Sequence, residues 1–312
     1  MKKRIISVLL ATVFALSVIG CGTKDTKEQD AYRQYGITCM ESGKYEDAVK
    51  AFQNALGESI GHIGEKELDI CFYKAKAQAL DGKTKDALAT YNAIIKYNKD
   101  ARAYYLRGDL YMDMGEEKKG KADFESAVQH GKKNYEIYIG IYESLSRHEK
   151  KDEGQKYLSA AMEIKGDKPE DELYKGRISY LLGENKDAIS YLEKAKEHKQ
   201  MLASYYLGLA YDANGDSDKA KKCIAEYIKS GVATSYDLYE LGMQEMQDGN
   251  YKNALTYFNS GLELEKVPNK QNLMKSAIAA YEYSGDFDSA KKMMKEYLKA
   301  YPDDEEAKHE NT

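Results

Sequence analysis

The chain reads as all-α, a right-handed α-solenoid of about eight helix-turn-helix units. A recurrent pattern of four slots, the spacing of that pattern and a helix-compatible composition predict it. The first slot holds Gly36, Ala75, Gly108, Tyr142, Gly176, Gly208, Gly242 and Ile278. Seven residues later stand Gly43, Gly82, Gly115, Glu149, Gly183, Gly215, Gly249 and Gly285. Next come Ala48, Ala87, Gly120, Gly154, Ala188, Ala220, Ala254 and Ala290, and four residues after each a large apolar residue, from Phe52, Tyr91 and Phe124 to Phe258 and Met294. Successive first slots lie 39, 33, 34, 34, 32, 34 and 36 residues apart. That is room for two short helices and two tight turns, at ~1.5 Å rise per helical residue. A small residue lets a facing helix approach, and a large one a turn away fills the volume beside it. Glycine at the second slot suits a helix end, where the left-handed conformation stops the helix. Charged residues make up 32% of the chain and hydrophobic ones 42%, with only three prolines to break helices.

Taken in order, the chain opens with an export signal over residues 1–20. Lys2-Lys3-Arg4 is the positive region, and Ile5 to Ile19 is an apolar run too short for a spanning helix but long enough for a signal core. It ends in Val18-Ile19-Gly20-Cys21, which resembles the cleavage box of bacterial lipoproteins. The resemblance implies that residues 1–20 are cleaved and that the Cys21 thiol receives a diacylglycerol. Residues 21–29 are then the lipidated cysteine and a short polar tether. Acyl chains anchor without spanning, each buried methylene adding roughly 0.8 kcal/mol. The expected location is a bacterial cell membrane, lipid-anchored and facing outside the cytoplasm.

Residues 30–302 carry the repeats. Repeat six has Leu207-Gly208, Tyr211, Gly215 and Ala220; repeat one has Tyr32, Gly36, Ala48, Phe52 and Ala55; repeat three has Tyr104, Gly108, Tyr111, Phe124 and Ala127. In this register the chain resembles the tetratricopeptide repeat family, a 34-residue helix-turn-helix with Leu-Gly, Tyr, Ala and Phe landmarks. It departs from that pattern in having no Trp and a closing proline only at Pro302. Repeat four departs most, with Tyr142 in the small slot and Glu149 at the turn, and Ile278 in repeat eight fits a terminal cap. Residues 303–312 read as an acidic tail that covers the end of the stack, since terminal repeats need a polar outer face.

Formal net charge is −5, and removal of Lys2, Lys3 and Arg4 takes it to −8. An acidic, evenly mixed surface argues against nucleic acid as a partner and against a polybasic membrane-docking face. After lipidation Cys39, Cys71 and Cys223 remain, at spacings that match no metal or redox motif. Cys39 and Cys71 fall on neighbouring first helices, where a disulfide is conceivable but a free thiol is the simpler reading. His62, His130, His148, His198 and His309 show no metal-ligand pairing, and no metal or cofactor is expected. No phosphate loop, nucleophile elbow or paired-histidine helix is present. Gly57-Glu58-Ser59-Ile60-Gly61-His62-Ile63-Gly64 fills the one long spacing as a flexible insertion. A non-catalytic protein follows.

The resemblance further implies that first helices line a concave groove. Three residues before the small slot stand Phe72, Tyr105, Ile139, Leu173, Tyr205 and Tyr239, flanked by Arg33 and Lys275 in the terminal repeats. One turn later the same face carries Ile37, Lys76, Asp109, Glu143, Arg177, Leu209, Met243 and Ala279. The repeated Lys, Asn and Arg of the family's carboxylate clamp are missing. These aromatic and apolar residues are expected to bind a protein or peptide partner in the groove, as an amphipathic helix or extended segment; packing between adjacent first helices would select the same residue types. The expected role is a membrane-anchored interaction scaffold. The alternatives are an envelope chaperone or secretion/assembly-complex subunit, and a carrier of glycan or peptidoglycan fragments stacked on tyrosine.

Overall fold

The computed structural model describes residues 27–59, 63–166, 168–302, 304 and 307. Cys21, the signal segment and the middle of the glycine-rich insertion lie outside the described residues. The described residues form helices joined by turns, in two compact units that divide between Val232 and Ala233.

The first unit holds six antiparallel pairs: α1 (Lys27–Glu41) with α2 (Tyr45–Gly57), α3 (Glu65–Leu80) with α4 (Thr84–Asn98), α5 (Ala101–Asp113) with α6 (Glu117–His130), α7 (Tyr135–Arg147) with α8 (Lys151–Met162), α9 (Pro169–Leu182) with α10 (Asn185–Glu197), and α11 (Leu202–Ala213) with α12 (Ser217–Lys229). The second holds two: α13 (Ser235–Gln247) with α14 (Tyr251–Leu262), and α15 (Lys270–Tyr283) with α16 (Phe287–Ala300). Among the described residues no helix is long and apolar enough to cross a membrane.

The eight turn slots all adopt the left-handed conformation, from φ 62° at Glu149 to φ 85° at Gly215. In each, the next residue donates its amide to the carbonyl five positions back, as Lys44 does to Cys39 and Lys150 to Leu145, both at 2.8 Å. That bond satisfies a carbonyl the helix end would leave open and turns the chain back on itself. Repeat four therefore keeps the register, with a glutamate in a conformation that glycine adopts at lower cost.

Within each pair the small and large slots meet. A methyl group at Gly208 would lie 2.4 Å from Ile224 Cδ1, and one at Gly242 would lie 2.2 Å from Phe258 Cε1. Phe52, Phe124, Leu192 and Phe258 are wholly buried, each worth about 1.5–3 kcal/mol of burial. Repeat four exchanges the sizes: Tyr142 is large, and the facing Gly154 is bare, so that a methyl group there would lie 3.0 Å from the Tyr142 ring. In repeat eight Ile278 faces Met294, whose unbranched side chain adapts to it. The three described cysteines are free thiols, Cys39 and Cys223 buried and Cys71 partly so.

In the second unit the chain end is tied down. Asp304 accepts from Lys275 at 2.8 Å, from the Tyr297 hydroxyl and from the Ala307 amide at 3.2 Å. Ala307 is itself buried against Met274, Ile278 and Tyr297.

Candidate functional site

First helices α3, α5, α7, α9 and α11 present the aromatic and apolar stripe of the first unit. Three of its members are buried: Ile139 at 0% exposure, Tyr205 at 6% and Leu173 at 8%. Ile139 packs with Ile178 of the next first helix, and Leu173 with Ala203 and Leu207. Tyr205 meets Tyr206 edge-on at 5.1 Å and Tyr227 at 5.3 Å. At these three positions the side chains are spent on packing, the alternative that the sequence left open beside groove binding. Ile139 and Leu173 pack on the next first helix and Tyr205 within its own repeat, so packing consumes all three.

The others are half-buried. Phe72 lies under the Arg102 guanidinium, 4.6 Å from its ring centre. Tyr105 is tilted on Phe124 at 6.3 Å and abuts Gly140. Burial, followed by the charges of Asp109 and Glu143, pushes its hydroxyl well above the usual tyrosine range. In the second unit Tyr239 is tilted on Phe258 at 6.1 Å. The flanking cations are already engaged, Arg33 with Asp69 at 2.6 Å and Lys275 with Asp304.

One turn along, the same face carries an ion-pair ladder that crosses repeats. Arg147 meets Asp109 at 2.5 Å, and Arg177 spans Glu143 at 3.0 Å and Glu136 at 3.2 Å. Burial raises the Asp109 and Glu143 carboxyls, while Arg147 and Arg177 oppose the rise. Burial works against the Arg177 charge, but Tyr206, Glu136 and Glu143 outweigh it and hold the guanidinium above its ordinary range. Each charge thus balances a charge on a neighbouring helix.

Lys76 is the exception. It sits in the same slot on α3, and among the described residues it has neither hydrogen bond nor ion pair. Burial alone lowers its pKa. Phe72 lies one turn before it and Leu80, 47% exposed, one turn after.

Sequence reasoning did not bring together Asp109, Asp113 and His148, whose ligand-type atoms lie within 4.8 Å of one another. His148 Nε2 is 3.1 Å from Asp113 Oδ1, and Arg147 already supplies the positive charge at Asp109. Nor did the separations of 34 to 41 residues mark Arg177 as the partner of Glu143 and Glu136; that slot mixes charged and apolar residues along the repeats. Ser59, from the glycine-rich insertion, accepts from Gln29 at 3.0 Å and donates to Glu67 at 3.2 Å, tying α1 to α3.

Family models described as tetratricopeptide repeat match residues 36–95, 101–129, 202–230 and 271–304. No curated protein matches the chain. Among solved structures, a tetratricopeptide repeat protein from Parabacteroides merdae is 12% identical with a TM-score of 0.47, covering 82% of this chain and 99% of that one. Yeast Tom70 is 16% identical with a TM-score of 0.51, covering 84% of this chain and 56% of Tom70. At such identities the likeness is one of fold alone.

Proposed function

Because this chain belongs to the tetratricopeptide repeat family, we propose that it is a lipid-anchored interaction scaffold of a bacterial envelope. Cys21 carries the anchor, and the first-helix face of the first unit takes a protein partner. The role is binding and not catalysis: the face offers a preformed surface, and membrane tethering raises the local concentration of the pair.

Lys76 carries this reading. A partly buried ammonium without a counter-charge costs stability, and every charge beside it on the face is balanced. A carboxylate from a partner would complete the ladder there, with Phe72, Leu80 and the methyl of Ala79 flanking it. The partner segment is therefore acidic at one position and apolar around it.

Binding to a peptide array tests the face. The wild-type chain selects segments with Asp or Glu beside apolar residues, and Lys76→Glu shifts the selection toward Lys and Arg. Indifference of both proteins to charge would remove the reading. The anchor is tested separately by the mass of the amino-terminal peptide, which carries a diacylglyceryl group on Cys21 and loses it in Cys21→Ser.

A further inference from the structure

Several unpaired lysines of the first unit meet at one hollow. The turn between α4 and α5 meets the turn between α6 and α7, where a methyl group at Gly131 would lie 2.9 Å from the Ala101 Cβ. Between them is a hollow of about 750 Å³ whose lining includes Lys99, Arg102, His130, Lys132 and Lys133. Its one carboxylate, Asp100, is held by Arg102 at 2.9 Å. Among the described residues no ion pair engages Lys99, Lys132 or Lys133, nor Lys96 one turn before. The amino-terminal ends of α5 and α7 open at the same place and add partial positive charge. Across the helices, on the opposite edge, Lys121 and Lys150 both pair with Glu117, at 2.7 and 3.1 Å, and Lys119 pairs with Glu116.

The first helix starts on the cationic edge. Lys66 pairs with Asp30 at 2.6 Å, and the Tyr97 hydroxyl donates to the Ile63 carbonyl at 2.9 Å. These contacts and the Ala101–Gly131 contact set the starts of α1, α3, α5 and α7 along one line. Cys21 stands six residues before Lys27, a reach of at most ~20 Å. A lipid on Cys21 therefore brings a bilayer to this edge.

We propose that Lys99, Lys132 and Lys133, with Lys96 beside them, dock this edge on anionic phospholipid headgroups, an inference that rests on the anchoring at Cys21. A negatively charged leaflet attracts cations within a Debye length, roughly 8–10 Å at physiological salt. The net acidity of the chain concealed this, because the cluster is local: the hollow is lined by a single carboxylate, Asp100, already held by Arg102. Docked in this way, the helices stand on the bilayer, and the face that bears Lys76 stays open to water.

Lysine footprinting tests the proposal on the full acylated chain, reconstituted in phosphatidylcholine vesicles with and without phosphatidylglycerol. Acetylation of Lys99, Lys132 and Lys133 is expected to slow several-fold on the anionic vesicles only, while Lys118 and Lys151 on the opposite edge are unchanged. High salt erases the difference. In the double variant Lys99→Glu, Lys132→Glu, Lys133 loses its protection although the chain still floats with vesicles. Equal rates on both vesicle types, with the chain floating and Cys21 acylated, would overturn docking and leave the anchor standing. Protection by inorganic phosphate without vesicles would assign a free-anion site instead. An unmodified Cys21 on a chain that does not float would remove the anchor and the docking together.

Discussion

The Tyr105 ring of α5 rests on the bare backbone of Gly140 in α7, so closely that a methyl group there would lie 2.6 Å from the ring's Cζ. This seat joins repeat three to repeat four. Tyr105→Ala should cost about 3–5 kcal/mol by leaving a cavity, and Gly140→Ala about 1–3 kcal/mol by overpacking. Urea unfolding of each variant checks both. A Tyr105→Ala protein of unchanged stability that has lost its partner would return the ring to the binding face.

Lys76 makes the opposite prediction. Replacing it by Met should stabilise the first unit by about 1 kcal/mol, because a charge without a partner leaves a partly apolar site. The pH dependence follows from its lowered pKa. The penalty is full below the folded-state value and fades as pH rises toward 10.5, the ordinary lysine value. Wild-type stability should therefore gain on that of Lys76→Met through the alkaline range. A destabilised variant would mean that the ammonium has a partner after all.

Glu149 is the one turn slot without glycine, at φ 62°. Its side chain is exposed, so Glu149→Gly trades left-handed strain against backbone entropy and should gain about 0.5–1 kcal/mol. A higher unfolding midpoint measures it, and a lower one would show that the strain is small.

Asp304 should govern the acid stability of the second unit. Lys275, then the Tyr297 hydroxyl and the Ala307 amide, hold its carboxyl far below the usual 3.8. A depressed acid stabilises the fold fully above its unfolded pKa, and that contribution is lost as pH falls below about 3.8. Asp304→Asn should be less stable than wild type at neutral pH and converge with it in acid, as circular dichroism at successive pH values will show. Parallel curves for the two proteins would contradict the assignment.

Much of the fold was legible because one residue type per slot does one physical job. The turn slots named eight helix ends, and the small and large slots named the contacts between paired helices. Even repeat four obeyed, once Tyr142 and Gly154 are seen to exchange sizes. The binding face was less legible. Whether Ile139 or Tyr205 faces water depends on how each first helix rolls against the next, and the repeat period does not encode that rotation. Cross-repeat partners such as Arg147 and Asp109, 38 residues apart, depend on the same rotation. The division at Ala233 leaves no mark on the period, since Gly208 and Gly242 keep the 34-residue spacing across it.

Photo-cross-linking from position 79, beside Lys76 on the same face, tests the central claim most directly in intact cells. A cross-linking residue in place of Ala79 should give one discrete adduct with an envelope protein, and the same residue in place of Ala225, exposed on α12, should give none. Equal labelling from both positions, or no adduct from position 79, would contradict a scaffold that binds its partner on the first-helix face.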